Sequence, residues 1–146
     1  MGRIALPFFV ASIVWTTIAA AQGNVPVPIT PDDVRWVRAP MAPGIEGAWF
    51  LGGEDQRGLY VFRVRLAAGA RIPPHTHPDE RSTTVLSGTI YIGFGETFDE
   101  SRAVAIPAGS MYVAPAGVPH YVWARDGEAA YQESGIGPSG TTLLNR

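Results

Sequence analysis

Leu59-Tyr60-Val61-Phe62-Arg63-Val64-Arg65-Leu66 decides the fold, because its polarity alternates with a period of two. Tyr60, Phe62, Val64 and Leu66 fall on one face of a strand and predict a core, while Arg63 and Arg65 fall on the other and predict solvent. Leu59 and Val61 share the arginine face, so a second sheet or a subunit is expected to cover part of it. Similar short runs predict strands over about 71–77, 82–86, 89–94, 103–106, 111–114, 120–124 and 129–133. Turn residues part them at Ala67-Ala68-Gly69, Ser87-Gly88, Pro107-Ala108-Gly109, Pro115-Ala116-Gly117 and Arg125-Asp126-Gly127. Many short strands with regular turn signals make a sandwich or barrel rather than a parallel sheet with crossover helices.

Composition agrees, since 17 Gly and 13 Pro in 146 residues favour turns over long helices. A formal charge of −2 provides no basic stripe for nucleic acid, so a small molecule is the expected partner. There is no Cys, hence no thiolate ligand, disulfide or cysteine nucleophile. There is also no Lys, which excludes Schiff-base chemistry.

The first residues read as an export signal: Arg3, an apolar run from Ile4 to Ile18, then Ala19-Ala20-Ala21 as a small-residue cleavage site. The expected mature protein begins near Gln22, is periplasmic or secreted, and has no stable membrane insertion. After it, Thr30-Pro31-Asp32-Asp33 predicts a short helix, with a Thr cap, Pro in the first turn and acids at the positive end of the dipole. Arg38-Ala39-Pro40 ends it. The predicted division is therefore a signal peptide over 1–21, an arm with a short helix over 22–47, and a β-barrel over 48–146.

All three histidines lie in two short segments, Pro74-His75-Thr76-His77-Pro78 and Pro115-Ala116-Gly117-Val118-Pro119-His120. Residues i and i+2 of a strand point the same way, and imidazole is the commonest protein ligand of transition metals. His75, His77 and His120 are thus candidate metal ligands.

These segments resemble the two motifs of the cupin superfamily. The first is similar to Gly69, five residues, His75-Thr76-His77 and a closing Gly88; the second to Gly109, five residues, Pro115-Ala116-Gly117, two residues and His120, with Ala124 where the family has Asn. The resemblance covers about residues 59–132 and implies an all-β double-stranded β-helix, a jelly-roll barrel. It also implies a divalent metal, and dimerisation is common on this fold.

Where the family supplies a ligand carboxylate, this chain has Arg81, and Glu80 sits one residue early. In an unbroken strand Arg81 faces the histidines; a bulge after Pro78 would instead bring Glu80 in. Two arrangements follow. In one, Glu80 is a displaced fourth metal ligand; in the other, three histidines hold the metal and Arg81 binds an anionic group of the substrate. The donor set suits Fe, Mn, Ni, Zn or Cu. The expected function is an exported cupin that binds a divalent metal and a small polar or anionic molecule. Oxygenase and isomerase activities occur on the fold, and a non-catalytic binding module is the alternative. The expected assembly is a homodimer.

Overall fold

The computed structural model describes residues 27–40 and 42–144. The segment read as a signal peptide, 1–21, and the first residues of the arm lie outside them. Eleven strands follow in order: β1 (Val37–Arg38), β2 (Ile45–Leu51), β3 (Gly58–Leu66), β4 (Arg71–Thr76), β5 (Arg81–Ser87) and β6 (Thr89–Phe94), then β7 (Val104–Pro107), β8 (Met111–Ala114), β9 (His120–Trp123), β10 (Ala129–Gly137) and β11 (Thr142–Leu143). They form a six-stranded sheet in the order β1-β2-β3-β10-β5-β8 and a five-stranded sheet in the order β11-β4-β9-β6-β7. Every pairing is antiparallel. This is the expected jelly-roll barrel.

Strand β3 behaves as its alternation requires, with Tyr60, Val64 and Leu66 buried and Leu59 and Arg65 exposed. Its register runs unbroken along β10, from Leu66 opposite Ala129 to Gly58 opposite Gly137. The core lies between the sheets and gathers Val64, Leu66, Val85, Ile90, Ile92, Val122, Ala124, Ala129 and Tyr131. At Gly88 the chain leaves one sheet and enters the other within a single residue, with φ of 67°. A Cβ there would stand 2.2 Å from the Glu128 carbonyl oxygen, so the corner admits only Gly.

The expected helix after Thr30 is a turn instead. Both the amide and the hydroxyl of Thr30 donate to Asp33 Oδ2 at 2.7 Å, and the Asp33 amide donates back to the Thr30 carbonyl at 3.1 Å. The Thr30 hydroxyl donates to a side chain instead of accepting a main-chain N–H as a cap would, and the chain goes on into β1, which lies beside β2. Trp36 is the reason to stay extended: it packs edge-on against Phe50, and the Arg65 guanidinium stacks over its ring at 3.7 Å. A helix of one or two turns would not be stable without such packing.

Candidate metal centre

Two prolines prepare the first ligand segment. Proline has no N–H to give a ladder, and the pairing of β4 with β9 is irregular between Ile72 and His75, across Pro73-Pro74. The Pro73 carbonyl then accepts from His75 Nδ1–H at 2.8 Å. Val118 does the same for His120 at 3.1 Å. His77 Nδ1–H donates to the Gly140 carbonyl at 2.6 Å, across 63 residues of sequence. His75 and His120 are direct neighbours in the ladder, and the Gly117 amide donates to the His77 carbonyl at 2.8 Å, drawing the two motif segments together.

With each Nδ1 engaged as a donor, each Nε2 keeps its lone pair. The ligand atoms of the three rings lie within 4.8 Å of one another, and all three residues are buried. His77 Nε2 is buried with no hydrogen-bond partner. A buried acceptor without a donor is costly, and a cation is what completes it. Burial holds the His75 imidazole down to about 4, with the neighbouring His120 adding to it, and burial and then the Arg81 charge hold His77 at about 3. His120 is lowered mainly by burial as well. The rings are therefore neutral near pH 7, the state in which imidazole binds a metal.

Residues 80 and 81 face opposite ways. Across the bend after Pro78 the alternation keeps its phase: His77 and Arg81 are buried and the Asp79 side chain is nearly so, while Pro78 and Glu80 are exposed. No bulge turns Glu80 inward, and the metal-competent group among the described residues is the three histidines without a carboxylate. Glu80, the fourth ligand of one of the two expected arrangements, lies outside that group on the exposed side of the segment. Arg81 points in, as an unbroken strand requires.

Its surroundings were not foreseen. Arg81 Nη1 donates to Glu133 at 2.9 Å, and Nη2 to Asp79 at 2.8 Å and to Ser139 Oγ at 2.5 Å. Tyr60 donates its phenolic proton to Asp79, and Ser139 Oγ also lies 2.8 Å from Asp79. Burial opposes ionisation of Asp79, yet the hydrogen bonds from Tyr60, Ser139 and Arg81 outweigh it and hold the carboxyl below its usual range. Burial raises Glu133, and the guanidinium only partly offsets that. By strand alternation Asp79 shares the face of residues 75, 77 and 81, and on β10 Glu133 faces inward. Its neighbour Gln132 is on the outer face, accepting from Arg63. Nothing in the local pattern pointed to Ser139 or Gly140.

A cavity of about 500 Å³ opens beside the triad, lined by His75, His77, Arg81 and Glu133 and by apolar groups such as Trp49 and Phe62. Its size suits one small organic molecule. Both Arg81 terminal nitrogens already donate within the cluster and the buried Nε–H lacks a partner, so a substrate carboxylate would have to compete with Glu133 and Asp79 for the fork.

Residues 62–131 match the family model of the Cupin domain, and they span both histidine segments. This segment is a cupin domain. Among curated proteins this cupin is similar to Germin-like protein 3-1 of Oryza sativa subsp. japonica, 34% identical over 77 residues, which are 52% of this chain and 34% of the relative. It is also similar to Germin-like protein subfamily T member 2 of Arabidopsis thaliana, 33% identical over 72 residues, 49% of this chain and 33% of the relative. The chain thus spans about a third of the length of these relatives. Among solved structures, the polyketide cyclase RemF from Streptomyces resistomycificus shares the fold at a TM-score of 0.68, 18% identity, and coverage of 84% of this chain and 87% of that one. Oxalate oxidase in complex with the substrate analogue glycolate matches at a TM-score of 0.51 and 26% identity, over 60% of this chain and 46% of that one.

Proposed function

We propose that this cupin is an exported protein whose His75, His77 and His120 hold one divalent transition metal and whose cavity takes a small oxygen-bearing organic molecule. The observation that carries this reading is the common design of the three rings, each Nδ1 tied to a main-chain carbonyl and each Nε2 left for a shared ion. A metal there would supply Lewis-acid polarisation of a ligand oxygen or a redox centre for O₂, the chemistry of oxygenases and isomerases. The chain's own part is to exclude water with Trp49, Phe62 and Tyr131 and to offer the Arg81 Nε–H to an acceptor on the ligand. Because Asp79 and Glu133 already balance the guanidinium, a neutral or singly charged ligand suits the cavity better than a polyanion.

A non-catalytic binding module is the second reading, and one feature favours it. The cavity's central carboxylates are held by Arg81, and the chain has no Lys, Cys or further His to move protons. The apolar outer face of β3 and β10, with Leu59 opposite Ile136 and both more than half exposed, supports pairing of two copies. Among the described residues no helix is long and apolar enough to cross a membrane.

The test is metal content of the purified protein with oxygen uptake against a panel of catechols, enols and monocarboxylates. About one metal per chain, lost on His77→Ala, is expected. A protein that takes up no divalent metal would overturn the reading, and full occupancy without turnover would favour the module.

A further inference from the structure

The three ligand rings are positioned in two different ways. His75 and His120 lean on carbonyls two residues earlier in their own segments, so their orientation is local. His77 leans on Gly140, which belongs to the segment following β10. That segment crosses the mouth of the barrel as a strap and docks at three points. The Ser139 amide donates to the Glu54 carbonyl at 2.8 Å; β11 pairs with β4, Thr142 opposite Thr76 and Leu143 opposite His75; and the Leu144 amide donates to the Pro74 carbonyl at 3.0 Å. Between the first two points, Ser139 Oγ is gripped by Arg81 at 2.5 Å and lies 2.8 Å from Asp79. Ser139, Gly140, Thr141 and Leu143 also form one wall of the cavity.

We infer that residues 139–144 are a latch whose docking and metal binding at His77 are thermodynamically coupled, with Ser139, clamped between Arg81 and Asp79, as the catch. This rests on the reading of the triad as a metal site. The physical link is the strap's contact with His77 Nδ1, made mainly by the Gly140 carbonyl at 2.6 Å with Thr141 Oγ1 at 3.4 Å beside it. A ligand imidazole whose second nitrogen is fixed by an outer partner is held in one tautomer and one orientation, and losing such a partner costs about 10–100-fold in metal affinity. When the strap lifts, His77 loses that partner while His75 and His120 keep theirs. Coupling of this kind is reciprocal, so a bound ion must hold the strap down by the same factor. Arg81 and Asp79 acquire a definite role: their buried pair is the surface on which the catch closes. Ser139 is a positioning residue, acting on the ion through Gly140 and His77.

The experiment measures zinc and cobalt affinity of the full chain by chelator competition, for wild type, Ser139→Ala and Leu144→Pro, with amide hydrogen exchange at Ser139 and Leu144 with and without zinc. Ser139→Ala removes the catch; Leu144→Pro removes the main-chain donor to Pro74 at the other end. Both are expected to weaken zinc by about tenfold with near-ultraviolet circular dichroism unchanged. Zinc should slow exchange at both amides in wild type. The cobalt spectrum of Ser139→Ala should show a altered third nitrogen ligand. Wild-type affinity in both variants, or strap amides indifferent to zinc, overturns the latch and leaves the metal site standing. A wild-type chain that binds neither ion removes both.

Discussion

Where β3 and β10 meet at Leu66 and Ala129, the barrel interior is filled by Val64, Leu66, Val85, Ile90 and Val122. Where the same two strands meet at Tyr60 and Gly135, the interior holds His75, His77, His120, Asp79, Arg81 and Glu133. The same ladder thus joins an end that stabilises by apolar burial to one that buries charge. The polar end gains nothing from burial alone; its charged side chains persist because they compensate one another. Damage should therefore scale with unfilled volume at the first end and with unpaired charge at the second.

The most severe test of this contrast is Arg81→Ala. It strands Glu133 and Asp79 with no counter-charge in a closed interior, and a loss of about 3–5 kcal/mol is expected from denaturant unfolding. Replacing Arg81, Asp79 and Glu133 together by apolar residues of similar volume should recover most of it. If the single change costs less than a surface substitution, the polar end is wetter than its geometry indicates.

Metal addition comes next. An ion that binds only the folded chain, at about a hundredfold over its Kd, stabilises it by about 2.7 kcal/mol, read as a rise in Tm. Acid should act in the opposite direction on the metal-free chain. The unfolded histidines take up protons near pH 6.5, whereas burial keeps folded His75 and His77 unprotonated down to about 4 and about 3. Unfolding therefore binds protons as pH falls through this window, and stability falls with it. Glu133, raised by burial, works in the opposite sense, but it is one group against three. A metal-free Tm that is flat from pH 6.5 to 4 would contradict the burial of the triad.

At the apolar end, Ile90→Val removes one methylene from a fully buried side chain and should cost about 1 kcal/mol, with zinc affinity unchanged. A drop in affinity would show that the two ends are not independent.

What the sequence disclosed follows the same division. Strands β6 and β8 lie at their predicted bounds, because alternation and flanking turn residues act locally. The triad was legible for the same reason, since i and i+2 on one strand and a third ligand after a Pro-Gly turn are short-range patterns. The helix expected at Thr30 failed because tertiary packing of Trp36 on Phe50 and Arg65 overrode a sound capping signal. β10 extends to Gly137, past the predicted end at Glu133, through a Gly-rich stretch with little side-chain signal. The strap was illegible altogether: Ser139 and Gly140 acquire meaning only from Asp79, Arg81 and His77, about sixty residues away.

The smallest expected effect is also the sharpest, Glu80→Gln. The substitution conserves volume and removes one negative charge at an exposed position outside the histidine group. If residues 77–81 keep their phase, Glu80 neither touches the ion nor braces a ligand, and zinc affinity should stay within about twofold, because screening leaves little of one exposed charge. If a carboxylate completes the site after all, the strand must bulge after Pro78, Arg81 must turn outward, and the charged cluster with Glu133 must come apart. A tenfold loss of affinity in this variant would therefore overturn the placement of Arg81 as well as the three-histidine ligand set, so this mild substitution tests the polar end as a whole.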